Sequence, residues 1–313
     1  MRKQILFTLI TLFSITSVFA QPGMKKKVKQ AKLLKEKILL VPIEDSEFGE
    51  RFKAAVQEIW TFNENVKFVT EEEFKTFLKN KKERETYAYL NYADFISVGL
   101  HPGNIIKVSL LGKAAPIYYV TVSSEYLASI PTLNSSKVIS TNKKEEISKA
   151  DLLFAVKQLQ NHVFSFSKYK KMSRKEAMKA YKEGLDGVKV LKNKTLLIEE
   201  NTLTRKALKK IKSIYKYDYK IVTKEVIEDA IVNSYEDKVY IKGLAIIQPP
   251  MTSNALNSIN DYGTFTMVTY GIYDSVTNES IYAFIPTSKV SISIAVKKKI
   301  SLKDLKKLAA DIK

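Results

Sequence analysis

Lys37-Ile38-Leu39-Leu40-Val41 and Lys194-Thr195-Leu196-Leu197-Ile198 are one short pattern written twice, 157 residues apart. Two further matches keep the same order. Phe68-Val69-Thr70 returns as Ile221-Val222-Thr223, and Ile147-Ser148 with Asp151-Leu152 returns as Ile300-Ser301 with Asp304-Leu305, both at an offset of 153. Three matches in one order at nearly one spacing indicate an internal duplication, and a repeat of this length governs how the chain is divided. The drop from 157 to 153 gives the first copy four additional residues, expected in the 42–50 loop.

Local signals recur in the same order in each copy. Residues 38–43 are a continuous apolar run suited to a central strand. Ser46 is placed to cap a helix on which Phe48, Phe52, Ala55, Val56, Ile59 and Trp60 share one face. Residues 66–69 read as a second strand. Thr70 and Glu73 then make a capping box for a short helix with Phe74, Phe77 and Leu78 inward. Glu71-Glu72-Glu73 fill that helix's first turn, where carboxylates favour the dipole, so the run reads as structural and not as a metal site.

Beyond residue 87 the period turns alternating, and 95–100, 105–111 and 117–122 read as antiparallel strands. Pro102-Gly103-Asn104 and Gly112-Lys113 supply the turns. A closing helix over 148–160 is apolar at Leu152, Leu153, Val156 and Leu159. The second copy repeats the series: strand 195–198, helix 203–215 with Leu208, Ile211 and Ile214 inward, strand 219–222, and a capped helix at 223–232. Strand 239–247, a hairpin of 264–273 and 280–286, and a closing helix at 301–312 complete it.

Parallel strands joined by a right-handed crossover bury the crossover helix against the sheet. The expectation is therefore an α+β (mixed α/β) fold in two tandem modules, each a mixed sheet with helices mostly on one face and its own core. The boundaries read as 1–20 signal peptide, 21–36 basic leader, 37–162 first module, 163–190 basic connecting helix and linker, and 191–313 second module. Within the connector, Ser173 and Glu176 offer another capping box, and Gly184 and Gly187 end the helix.

Arg2 and Lys3 precede an apolar run ending in Val18-Phe19-Ala20, the pattern of a cleaved secretory signal. At about 15 apolar residues the run falls short of the roughly 20 that a spanning helix needs. The expected mature chain is exported, periplasmic and without a transmembrane anchor. It has no cysteine, so no disulfide supports it and no lipid can be attached to an amino-terminal cysteine.

The formal charge is +19, and +17 once Arg2 and Lys3 are gone. Residues 24–37 carry +6, 163–194 carry +7 and 297–313 carry +5, leaving the rest near −1. An anionic surface is the natural partner for such segments. Candidate contacts are Lys25, Lys26, Lys27, Lys29, Lys168, Lys170, Lys171, Arg174, Lys297, Lys298 and Lys299. Arginine, the residue of bidentate base and phosphate recognition, numbers only five among 52 basic residues, which with the export signal argues against nucleic acid.

Catalytic patterns are sparse. The two histidines, His101 and His162, fall in different elements and form no zinc cluster; His101 and Asp94, seven apart on one strand, point to opposite faces. Ser165-Phe166-Ser167-Lys168 and Ser213-Ile214-Tyr215-Lys216 match Ser-x-x-Lys by chance in a lysine-rich chain and lack its companion motifs. No P-loop, nucleophile elbow or dinucleotide fingerprint is present, and no cofactor is expected. Tyr169, Tyr215, Tyr217 and Tyr219 lie beside lysines but fit ordinary strand propensity better than a stacking platform.

On residues 37–43 and 66–74 and their second-copy counterparts, the element order resembles the small α/β module of bacterial envelope proteins typified by the amino-terminal domain of TolB. CsgG-like secretion proteins and the lipoprotein activators of peptidoglycan synthases carry similar modules. Asp274-Ser275-Val276-Thr277-Asn278-Glu279 resembles the Asp-x-x-Thr-Gly turn of that group, with Asn278 where glycine is usual, and the first copy lacks the pattern. The resemblance implies a non-catalytic binding or assembly role in a Gram-negative envelope, with a protein or anionic polymer as partner, and transfers no functional residue. A different class, a hydrolase of envelope polysaccharide using two carboxylates, requires a pair facing each other across a cleft.

Overall fold

A computed structural model of the chain describes residues 24–80, 82, 85–96, 102–111, 118–121, 144, 147–167, 187–248, 265–284 and 299–313. The signal-like stretch 1–20, His101, the Gly112 turn and the helix expected after Met172 lie outside the described residues.

The first module comprises α1 (Met24–Lys35), β1 (Ile38–Ile43), α2 (Glu47–Ile59), β2 (Val66–Thr70), α3 (Glu71–Lys79), β3 (Tyr87–Ile96), β4 (Pro102–Leu110), β5 (Tyr118–Thr121) and α4 (Lys149–Ser167). The second comprises a 3-10 turn η1 (Val188–Lys192), β6 (Thr195–Glu199), a short η2 (Glu200–Thr202), α5 (Arg205–Ile214), β7 (Tyr219–Val222), α6 (Lys224–Asn233), β8 (Lys238–Gln248), β9 (Phe265–Asp274), β10 (Ser280–Phe284) and α7 (Leu302–Ile312).

The fold is mixed α+β, built on two separate five-stranded sheets of one topology: β2-β1-β3-β4-β5 and β7-β6-β8-β9-β10. In each, the first strand lies parallel to the second and third, and the rest are antiparallel. Registers agree as well. Leu39 pairs with Val66 as Leu196 pairs with Tyr219, and Ile38 with Tyr87 as Thr195 with Lys238.

Several local expectations shift. The additional residues of the first copy are not in the 42–50 loop, because α2 has 13 residues against 10 in α5, and the turn after it is longer too. The loop itself is short. It folds back so tightly that a Cβ on Gly49 would strike the Glu44 carbonyl oxygen, which is why glycine stands inside a helix there. β3 starts at Tyr87, eight residues before the expected strand, because Tyr87-Ala88-Tyr89-Leu90 carries apolar side chains on both faces and shows no polar alternation. α4 runs to Ser167, past the boundary drawn at 162, and the leader is helical from Met24 with Ala31 and Leu34 fully buried. The capping boxes at Thr70/Glu73 and Ser301/Asp304 form, whereas Thr223 starts α6 without a side-chain capping bond.

The modules do not keep separate cores. Along β6, Leu196 and Ile198 face η1, α5 and α7, while Leu197 faces the other way with Tyr240 and Tyr273. That second face is closed by α6 and by α4 of the first module. The layers thus run α3, first sheet, the helices α1, α2 and α4, second sheet, then η1, α5 and α7. Residues Asp151 to Val156 of α4 are buried without a break, followed by Gln158, Leu159 and Gln160, as a helix between two layers requires.

Polar bonds fix that junction. Lys242 Nζ lies 2.7 Å from Asp151 Oδ1, and Gln158 donates to the Asn278 carbonyl at 2.7 Å. Asn278 Oδ1 accepts from the Tyr240 hydroxyl, whose ionisation burial pushes well above the ordinary tyrosine value. Asp274 accepts from the amides of Val276 and Thr277 at 3.0 Å each and pairs with Lys194 at 2.6 Å, which explains the Asp-x-x-Thr spacing.

Asn278 takes φ 51°, the left-handed conformation for which glycine is usual. Asn278→Gly removes at most about 1 kcal/mol of backbone cost, yet strands a buried hydroxyl at about 1–3 kcal/mol. The expected result is a net loss of about 1 kcal/mol in chemical denaturation, recovered by adding Tyr240→Phe. A stabilised Asn278→Gly variant would contradict it.

Candidate anion-binding surface

Five of the eleven sequence-derived candidates fall among the described residues, four on α1 and one before α7. Lys29 is exposed on α1, and Lys25, Lys26 and Lys27 lie in its first turn. Lys299 is exposed just before Ile300. Lys168, Lys170, Lys171, Arg174, Lys297 and Lys298 lie outside the described residues.

The structure instead gathers charge on the helical layer over the second sheet. The backbone before α7 is pinned to the backbone before α5: Thr204 N donates to Ile300 O at 3.0 Å, and Ile300 N to Thr202 O at 2.8 Å. The two helices therefore start side by side. α5 is capped by Thr204 and buries Ala207 and Ile211; α7 buries Leu305, Leu308 and Ile312. What remains outside on α5 is Arg205, Lys206, Lys209, Lys210 and Lys212, with no acidic residue on the helix. Lys303, Lys306 and Lys307 of α7 and Lys192 of η1 extend the field.

The two carboxylates of α7 offset only two of these nine cations. Asp304 serves the Ser301 capping box, and Asp311 accepts from Tyr282 Oη at 2.9 Å. On α5, Arg205 and Lys209, and likewise Lys206 and Lys210, stand one turn apart, where like charges repel by a few tenths of a kcal/mol per pair, at roughly 0.2–0.5. Arg205 and Lys206 also occupy the first turn, the unfavourable end of the dipole for cations.

The first module supplies an internal control. Its equivalent helix, α2, carries charges of both signs: Arg51 lies 3.8 Å from Glu47, Lys53 3.5 Å from Glu50, and Lys149 reaches Glu58 at 3.5 Å. Lysine richness is therefore not uniform over equivalent surfaces. The charge of α5 escaped a segment-wise sum because Glu199, Glu200 and Asp218, which flank the helix in sequence, offset part of it there.

Other candidates resolve into structure. Tyr215 is buried, with Tyr217 and Tyr219 edge-on to it at 5.5 and 6.1 Å, and burial pushes its ionisation far up. The His162 Nδ1 lies 2.9 Å from the Gln158 carbonyl of its own helix, and Ser213 donates to the Lys210 carbonyl at 2.8 Å. Glu279 is pushed above the usual carboxylate range by burial, lowered by Lys157 and raised by Asp274, but Asp274 is committed to its turn and to Lys194. Among the described residues no group of three or more His, Asp or Glu could hold a metal ion, and no helix is long and apolar enough to cross a membrane.

Comparison of the chain with protein-family models, with curated proteins and with solved structures returns no match.

Proposed function

We propose that this is an exported, non-catalytic binding module of a Gram-negative envelope whose second half holds an anionic envelope polymer through the α5–α7 layer. The observation that carries the reading is the set of exposed cations on α5, maintained against mutual repulsion while the equivalent α2 stays balanced. The resemblance in element order to TolB-type modules supports a binding role over a catalytic one. Lysine suits a diffuse polyanion, since its ammonium is a strongly hydrated point charge without a fixed recognition geometry.

The test is retention of the mature chain on lipopolysaccharide, on phosphatidylglycerol vesicles and on peptidoglycan, which separates the phosphate-bearing sources from the sugar polymer. Retention on at least one should fall about ten-fold between roughly 0.05 and 0.5 M salt as charges are screened. Lys206→Glu, Lys209→Glu and Lys210→Glu together should abolish it, whereas Lys53→Glu on α2 should not. Retention insensitive to both salt and the triple change would sink the reading.

A further inference from the structure

We infer that each copy of the duplication carries one lipid-contacting site, Lys32-Leu33-Leu34-Lys35 in α1 and Lys189-Val190-Leu191-Lys192 in η1, and that together they seat the chain on a membrane leaflet with anionic headgroups. This rests on the reading of the chain as an anion-binding module and names a lipid surface as the bearer of the anions.

The offset of 157 that aligns the first strands also aligns the segments before them. Ala31-Lys32-Leu33-Leu34-Lys35 falls on Val188-Lys189-Val190-Leu191-Lys192. The first segment closes a 12-residue α-helix, and the second is a five-residue 3-10 turn. They nevertheless end alike: Glu36 N donates to Leu33 O at 3.2 Å, and Asn193 N to Val190 O at 3.1 Å. The first and fourth positions face inward in both. Ala31 and Leu34 are buried where α1 packs on α4, and Val188 and Leu191 where η1 packs on α7.

Core packing accounts for those two positions and not for the one between them. Leu33 and Val190 are 37% and 38% exposed, on the side where an amphipathic segment ordinarily carries polar residues. A single exposed aliphatic side chain needs no explanation. Here two of the five exposed large hydrophobic side chains among the described residues fall on one position of the repeat, which chance placement does not favour. Ile221 and Val226, also exposed, stand instead opposite half-buried Phe68 and charged Glu73 at the offset of 153.

The flanking charge is duplicated as well. Lys32 and Lys35 are exposed on either side of Leu33, as Lys189 and Lys192 are on either side of Val190. Lys192 Nζ lies 3.5 Å from the Lys313 carbonyl oxygen, and Glu36 follows the first site where Asn193 follows the second. Because Lys192 belongs to the cationic layer already described, the second site continues that field. An aliphatic tip between two ammonium groups matches the boundary of headgroup and acyl chain: the long lysine stems reach phosphate while the tip enters the apolar region. A lipid-free polyanion offers the tip nothing. Two weak sites on one chain reinforce each other on a single surface.

The test titrates the full mature chain with phosphatidylcholine vesicles, with and without phosphatidylglycerol, and with dextran sulfate as a lipid-free polyanion. Leu33→Ser combined with Val190→Ser keeps the net charge and should weaken binding to phosphatidylglycerol vesicles by about ten-fold or more. Retention on dextran sulfate should be unchanged. In separate chains, Leu33→Trp and Val190→Trp should each add fluorescence that spin-labelled acyl chains quench, against the background of Trp60, which is 5% exposed. Thermal melting within a few degrees of the parent shows that each variant is folded. Vesicle binding unchanged by the double serine change, added tryptophans that are not quenched, or equal losses on vesicles and dextran sulfate would each overturn the assignment. Retention on dextran sulfate without vesicle binding sinks the lipid sites alone and leaves the cationic layer standing; a parent chain retained on no anionic material sinks both.

Discussion

Lys242→Ala is expected to lower the stability of the whole chain by about 3–5 kcal/mol, because it leaves the Asp151 carboxylate buried without its countercharge. The two side chains are 8% and 4% exposed and meet at 2.7 Å across the junction of the modules. Lys242 Nζ also stands 5.4 Å above the Phe154 ring, so the cation has a second attraction there. Asp151 sits in the first turn of α4, where the helix amides recover part of a stranded carboxylate's cost. The loss from Lys242→Ala should therefore be smaller than that from Asp151→Ala, which strands a cation on a strand with only a ring to face.

Replacing both, as in Asp151→Leu with Lys242→Met, should return stability to within about 1 kcal/mol of the parent or exceed it, since well-packed apolar residues avoid desolvating two charges. Denaturant titration of the four chains gives the coupling between the sites directly. Single losses below about 1 kcal/mol would show that the pair is solvated in solution and that the modules are less closely joined.

The sequence discloses the duplication because burial on a sheet face constrains residues at fixed spacing. Leu39-Leu40-Val41 and Leu196-Leu197-Ile198 must both fill central strands, and Thr70/Glu73 and Ser301/Asp304 must start helices at set points. Single-face patterns such as Phe48, Phe52 and Val56 were equally legible. What eluded a one-face reading was α4. Leu152, Leu153, Val156 and Leu159 form a stripe, but Phe154 and Ala155 lie outside it and are buried as well. Apolar residues on every side of a helix signal burial between two layers. The cationic surface was illegible for the opposite reason: α5 and α7 are distant in sequence and become one field only through the Thr202–Ile300–Thr204 bonding.

Phe154→Ala is the sharper test of the shared core. The ring is 2% exposed, edge-on to Tyr273 at 4.8 Å and 6.3 Å from Tyr240, while its helix is packed on the first sheet. Truncating it should cost about 3–5 kcal/mol, the transfer loss plus a cavity that two sheets and a helix cannot easily collapse. Because the cavity lies between modules, the effect should reach both. The single tryptophan, Trp60, reports on the first module, where its Nε1 donates to Asn63 at 3.1 Å. Its fluorescence transition and the far-ultraviolet circular dichroism transition of the whole chain should coincide in the parent and move together in Phe154→Ala. Tyr273→Ala carries the argument further, since that residue belongs to the second sheet. Two independent bodies would leave the Trp60 midpoint where it was; a core built across the junction must lower it, because the face of α4 that Tyr273 covers is the reverse of the face that holds the first module together.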